Sequence, residues 1–171
     1  HVMLDILKFN TDEYVTLLDF GCGTAHLLEF IQKKERKGID YSGLDLSQKF
    51  VDVAQIKFPN NEFFCFDILD KKKSIKNYDY IVMNGVFTEK RELSFDEMWE
   101  YFTQLISAIH DKSNKGFAFN VMSKNVDWER EDLFHVSLDL LSNFLCEKIT
   151  RDFIIRNDYG LYEYTVYVLK K

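Results

Sequence analysis

Apolar runs of strand length alternate with amphipathic segments along this chain, the pattern of an α/β domain whose sheet is mostly parallel. Val15 to Phe20 is a short apolar run closed by glycines, as a buried strand is before a turn. Leu27, Leu28, Phe30 and Ile31 then recur at helical spacing. Tyr41 to Leu44 predicts a second strand, and Ser47 the N-cap of a helix that turns Phe50, Val51, Ala54 and Phe58 inward. Glu62 to Phe66 and Tyr80 to Met83 predict the third and fourth strands. Between them the lysine-rich stretch Asp70 to Asn77 is polar and short, and predicts a loop where an α/β repeat would place a helix.

Ser94-Phe95-Asp96-Glu97 has the form of a capping box. Phe95, Met98, Trp99, Phe102, Leu105, Ile106 and Ile109 make the core stripe of the helix that it opens. Gly116 to Met122 predicts a fifth strand, and Leu138, Leu141, Phe144 and Leu145 a last helix. Phe153 to Ile155 and Leu161 to Leu169 are β-rich and joined by Asn157-Asp158-Tyr159-Gly160, which is turn chemistry, so a terminal hairpin is expected. No internal repeat, linker or low-complexity tract interrupts the series, and residues 1–171 read as a single domain.

Composition narrows the classes. A chain that is 46% hydrophobic with 7 Gly and 1 Pro is neither disordered nor collagenous. Its net charge of -6 repels phosphate backbones, which disfavours nucleic acid as a partner. Cys22, Cys65 and Cys146 form no CxxC pair and no zinc-like cluster, so neither a disulfide framework nor a metal site is expected. Cys22 and Cys65 read as small buried residues and not as nucleophiles. No apolar run approaches the roughly 20 residues that cross a bilayer. His1-Val2-Met3 is not a signal peptide and has the look of a cloning remnant, with Met3 a natural start or an internal cut site. A cytoplasmic protein with no membrane partner is expected.

The most informative stretch is Leu17-Leu18-Asp19-Phe20-Gly21-Cys22-Gly23-Thr24-Ala25-His26, between the first strand and first helix. Glycines at 21 and 23 let the backbone turn tightly and approach a ligand, and the helix start beyond offers free N–H groups. A nucleotide-like cofactor is implied. Asp45 ends the second strand, where a carboxylate can accept from both ribose hydroxyls, and Asp67 follows the third. The dinucleotide fingerprint G-x-G-x-x-G fails, because its third glycine would fall at His26. An acid two residues before the first glycine and a small residue two after the second fit Asp19, Gly21, Gly23 and Ala25.

From Leu17 to Leu169 the sequence resembles the class I methyltransferases that use S-adenosylmethionine, whose first motif is an acid followed by x-G-x-G-x-G. The resemblance implies a Rossmann-like, doubly wound, mostly parallel seven-stranded sheet with a C-terminal antiparallel hairpin. Among its members the chain is similar to small stand-alone bacterial enzymes of unassigned substrate. By this likeness Gly21, Cys22 and Gly23 line the amino-acid and ribose part of S-adenosylmethionine, with Asp19 behind them. Asp45 binds the ribose hydroxyls and Leu46 packs on the adenine. Asp67 bonds the adenine amino group, with Phe66 and Ile68 beside the ring. Asn84, Gly85, Val86 and Phe87 close the methyl-donor side. Two departures stand out. Ala25 replaces the third glycine, and Asn84-Gly85-Val86-Phe87 is not the Asn/Asp-Pro-Pro-Tyr/Phe box of enzymes that methylate base or glutamine nitrogens.

Ligands of open parallel sheets lie beyond the carboxyl ends of the strands, so Asn84 to Leu93 and Ser123 to His135 are expected to form the acceptor pocket. His135 is the first candidate for a general base and His26 the second, against the simpler reading of a hydrogen-bonded histidine. Glu89, Lys90 and Arg91 either bind a charged acceptor or form the exposed approach to the Ser94 helix. The runs Lys33 to Lys37 and Lys71 to Lys73 read as solvated turns, and they alone speak for RNA. About a dozen residues precede the first strand, too few for much of a lid. The expected activity is methyl transfer to an oxygen or nitrogen of a small-molecule acceptor, with S-adenosylhomocysteine as product. The alternatives are an RNA methyltransferase and a non-catalytic S-adenosylmethionine-binding module acting with a partner; a homodimer is left open.

Overall fold

A computed structural model describes residues 2–170; His1, read above as part of a cloning remnant, lies outside them. The chain opens with a 3₁₀ helix, Val2–Phe9, that the polar and apolar pattern did not signal. Then come β1 (Val15–Phe20), α1 (His26–Lys33), β2 (Ile39–Asp45), α2 (Gln48–Lys57) and β3 (Glu62–Cys65). The lysine-rich stretch to β4 (Tyr78–Phe87) is a loop, as its polarity predicts, pinned by the buried Ile75. The second half holds α3 (Phe95–Lys112), β5 (Ser113–Ser123), β6 (His135–Val136), α4 (Leu138–Phe144) with a π-helical turn at Leu145–Ile149, β7 (Phe153–Arg156) and β8 (Glu163–Leu169).

The strands lie in the order β3-β2-β1-β4-β5-β8-β7, and the two-residue β6 pairs with β5 off that path. β1 to β5 are parallel, while β8 runs antiparallel to β5 and to β7. The terminal hairpin is thus inserted with its second strand inside, and β6 is the one strand beyond the seven expected. Because β8 is reversed, its first residue, Glu163, pairs with Met122 at the carboxyl edge of the parallel strands.

The sheet separates two apolar cores. Leu18, Ile81, Phe119 and Val166 face α3 and α4, and Leu17, Val82, Ala118 and Tyr167 face the N-terminal 3₁₀ helix, α1 and α2. The first core is aromatic: Phe87 and Phe102 meet edge to face at 4.8 Å between centroids, and Trp99 stacks on Phe102 at 5.2 Å. α3 starts where its capping box forms, with Ser94 N–H donating to Glu97 Oε2 at 2.8 Å and Glu97 N–H to Ser94 Oγ at 3.3 Å. In α2 the expected inward face is only half realised. Val51 and Ala54 are buried, but Phe50 is 45% exposed.

Candidate active site

The loop after β1 runs through left-handed backbone that its two glycines adopt at little cost and Ala25 at about 1 kcal/mol. Gly21 and Gly23 have φ of 75° and 52°, and Ala25 follows at 63°. A Cβ on Gly21 would stand 2.7 Å from Val86 Cγ2, so only glycine lets the loop pass under the end of β4. A Cβ on Gly23 would meet nothing within 4 Å, because that position faces open space. The loop is fastened to β2 from two sides. Gly21 and Cys22 N–H donate to Leu44 O at 2.7 and 3.1 Å, and Gly23 N–H donates to Asp45 Oδ2 at 2.9 Å. Asp45 Oδ1 accepts from Ser47 N–H at 2.8 Å, which turns the chain into α2.

Beside this loop opens a cavity of about 660 Å³. Asp19, Gly21, Cys22 and Gly23 form one wall, with His26, Leu27 and Phe30 of α1. Val2 and Met3 of the 3₁₀ helix form the second, and Tyr159, Leu161, Glu163 and Thr165 of the terminal hairpin the third. Asp19 is 4% exposed and accepts a 2.7 Å hydrogen bond from Tyr41 Oη. Burial pushes its carboxyl up to about 7; the Tyr41 bond opposes this and the charge of Asp45 adds to it. Burial, followed by the nearby Asp19 and Asp45, pushes the Cys22 thiol up to about 12, so it is not a thiolate nucleophile.

The end of β4 is shaped by a bulge. Met83 pairs with Phe119 and Phe87 with Val121, so Asn84, Gly85 and Val86 stand opposite Asn120 alone. The buried Asn120 fills the gap, its Oδ1 accepting from Gly85 N–H at 2.8 Å and its Nδ2 donating to Glu163 Oε2 at 2.7 Å. Next to them Tyr159 Oη and Thr165 Oγ1 are hydrogen-bonded at 2.8 Å. Asn84 lines the cavity above this polar row.

Residues 18–111, a span that runs from β1 to the last turn of α3 and takes in more than half of the chain, match the family model described as a methyltransferase domain. The chain belongs to that family. Rv1506c of Mycobacterium tuberculosis, named provisionally as a methyltransferase, is 28% identical over 167 residues, covering 94% of this chain and 96% of that protein. The malonyl-acyl-carrier-protein O-methyltransferase of Halalkalibacterium halodurans is 32% identical over 133 residues, 74% of this chain but only 46% of that longer protein. Among solved structures, magnesium protoporphyrin IX methyltransferase from Synechocystis PCC 6803 with bound S-adenosylmethionine superimposes with a TM-score of 0.68 at 16% identity. That match covers 99% of this chain and 76% of the other, and shows a shared fold.

In this methyltransferase fold the expected cofactor residues fall into two groups. Asp19, Gly21, Cys22, Gly23 and Asn84 line the cavity, and Gly85 and Val86 form the bulge beside it. Asp45, Leu46, Phe66, Asp67 and Ile68 lie beyond its rim along the ends of β2 and β3. Leu46 is 61% exposed and Phe66 and Ile68 are half-buried, which leaves an apolar shelf there. Asp67 is exposed, its Oδ1 accepting from Leu69 N–H at 2.9 Å.

His135 is not brought to the cavity. It is 5% exposed, its Nδ1 lies 2.6 Å from Ser123 O, and its Nε2 accepts from Arg130 N–H at 3.2 Å. Two backbone partners occupy both ring nitrogens, so the ring serves to fold the 123–135 loop and has no nitrogen left for a general base. His26, the second candidate, does line the cavity, 3.4 Å from Thr24 Oγ1. The two loops expected to hold the acceptor are tied instead to each other. Lys90 and Arg91 N–H donate to Asp132 O, Phe134 N–H donates to Thr88 O, and Glu89 bridges to Leu133. The 123–135 loop and Tyr162 of the terminal hairpin border a smaller hollow of about 220 Å³, lined also by Trp128 and His135.

Val2, Met3, Tyr159, Glu163 and Thr165 were missed from sequence. Asn120, a lone polar residue inside a buried strand, was the available signal, as was the polar face made by Glu163 and Thr165 in an otherwise apolar β8. The short N-terminal segment is also more than a dozen loose residues. Arg156 Nη1 donates to Asp5 Oδ2 at 2.8 Å, and Tyr167 Oη donates to Val2 O at 2.7 Å, which hold the 3₁₀ helix against the hairpin as a cavity wall.

Proposed function

We propose that this chain uses S-adenosylmethionine to methylate an oxygen or nitrogen of a small-molecule acceptor, and that Asp19, Gly21, Cys22, Gly23, Asp45, Leu46, Phe66, Asp67, Ile68, Asn84, Gly85 and Val86 hold the cofactor. The observation that carries this reading is the Gly23–Asp45 link at the mouth of the cavity. It places a glycine with open space above it beside a strand-end carboxylate. The residues present fit the cofactor: the space over Gly23 admits a ligand backbone to backbone, and the exposed Leu46 supplies an apolar face for a base. The buried Asp19 offers a carboxylate to an ammonium group.

When bound, the cofactor supplies a sulfonium methyl that is already electrophilic. The protein's part is to hold the nucleophile in line with it, exclude water and receive a proton where one is lost. His26 and Glu163 are the titratable side chains of the cavity suited to that last task. None of the lysines of the 33–37 and 71–73 runs lines the cavity, which favours a small acceptor over RNA. No helix among the described residues is long and apolar enough to cross a membrane.

Isothermal calorimetry with S-adenosylmethionine and S-adenosylhomocysteine tests the proposal. Micromolar binding of both, weakened by Asp45→Ala, is the expected result. Absence of binding at millimolar ligand would sink it.

A further inference from the structure

The cavity's lining holds more acids than bases. Asp19 and Glu163 are its acids, His26 is its lone titratable base, and no lysine or arginine lines it among the described residues. Arg156, on the same hairpin, is engaged by Asp5 Oδ2 at 2.8 Å and by Asp158 at 2.9 and 3.0 Å, so its charge is already matched. A carboxylate or phosphate acceptor would therefore find no lysine or arginine in the protein wall to meet it.

Glu163 is held ready for the opposite charge. Asn120 is 3% exposed and anchored in turn by Gly85 N–H, and it fixes Oε2 of Glu163. Oε1 has no protein partner among the described residues. Thr165, 1% exposed, stands two residues along on the same face with Tyr159. Around this polar row the walls are apolar, from Val2, Met3, Leu27, Phe30 and Leu161. Glu163 lines the same cavity as the glycine loop assigned above to the cofactor and is linked through Asn120 to Gly85, so the two ligands would meet in that cavity.

Resting on the methyltransferase reading of this site, we propose that the acceptor is a small amine with an apolar body, and that Glu163 is the residue that binds its nitrogen. The bound ammonium gives one proton to Glu163. The freed lone pair forms the N–C bond as the S–C bond of the sulfonium breaks and its electrons stay on sulfur. The products are a methylammonium ion and a neutral thioether, and Glu163 releases its proton to water.

The test uses three probes of one shape, 2-phenylethylamine, 2-phenylethanol and phenylacetate, titrated into the protein already saturated with S-adenosylhomocysteine. The amine is expected to bind at least about tenfold more tightly than phenylacetate, with the alcohol between them. Glu163→Gln keeps an acceptor for Asn120 while removing the charge. It is expected to lower amine affinity at least about tenfold and to leave S-adenosylhomocysteine affinity within about twofold. Equal or tighter binding of the alcohol or the carboxylate, no amine binding at millimolar concentration, or an unchanged amine affinity in Glu163→Gln overturns the proposal. Failure of S-adenosylhomocysteine to bind the parent protein, read in the first titration, overturns the methyltransferase reading itself and is thereby distinguished.

Discussion

Gly23 and Asp45 are joined by a 2.9 Å hydrogen bond from the glycine N–H to Asp45 Oδ2. The bond ties the first loop to the end of β2 across the strand pair β1–β2, and the other carboxylate oxygen accepts from Ser47 N–H. One side chain thus shapes both turns that border the candidate cofactor site. Asp45→Ala removes two charge-assisted hydrogen bonds and is expected to cost about 1.5–3 kcal/mol of stability. It should also weaken S-adenosylmethionine binding at least about tenfold. Asp45→Asn, which keeps an acceptor for one N–H, should recover part of both. Urea unfolding and calorimetry on the same variants measure the two effects.

The two loop glycines should separate stability from affinity. Gly21→Ala combines a left-handed φ with a clash against Val86, so it is expected to destabilise by about 2 kcal/mol or more. Gly23→Ala has the same backbone cost of about 1 kcal/mol but no clash, and its methyl stands in the open space assigned to the cofactor. Thermal melting should rank Gly21→Ala as the less stable variant, and calorimetry should find Gly23→Ala at least as impaired in cofactor binding.

Asp19 makes the free protein sensitive to pH in a defined direction. Its carboxyl is pushed from 3.8 up to about 7, first by burial, so between these values the folded chain keeps a proton that the unfolded chain has released. Stability therefore falls as pH rises from about 4 to about 7 and levels off above. Asp19→Asn keeps an acceptor for Tyr41 and removes the titration. Its melting temperature should exceed the parent's by about 5 °C near pH 8 and show a flatter profile below. A parent profile that rises across this window would contradict the assignment.

Asp5 has the opposite sign. Burial alone would raise its carboxyl, but hydrogen bonds from Lys8 and Arg156 outweigh it and hold the group below the usual carboxylate range. Its contribution is complete above the ordinary value and is lost as pH falls through the depressed one. Arg156→Ala should cost about 2 kcal/mol. It should also expose the N-terminal helix to limited proteolysis ahead of the rest of the chain, since the 2.8 Å Asp5 contact would be gone.

Much of this protein is written in local patterns. A short continuous apolar run closed by glycines suits a buried central strand, and β1 spans Val15–Phe20 as its run predicts. The Ser94 box starts α3 because both of its hydrogen bonds are made within one turn. The glycine loop and the strand-end aspartates are likewise legible, because backbone conformation and charge at a strand terminus are local properties. Phe50, in contrast, shares the helical phase of Val51 and Ala54, yet it stays exposed while they are buried, because burial depends on which elements pack against α2 and not on phase alone. The role of His135 depends on Ser123 O and Arg130 N–H, partners that only the folded loop supplies. The hairpin wall follows the same rule. That β8 is inserted between β5 and β7, and so sets Glu163 beside Asn120 across 43 residues, is decided by sheet order. Local sequence determined most of the elements, though not the 3₁₀ helix Val2–Phe9 or the two-residue β6, and the loop that faces the candidate cofactor site. Tertiary pairing decided which side chains close the cavity, because contacts between distant strands depend on strand order and direction, which no short window of sequence encodes.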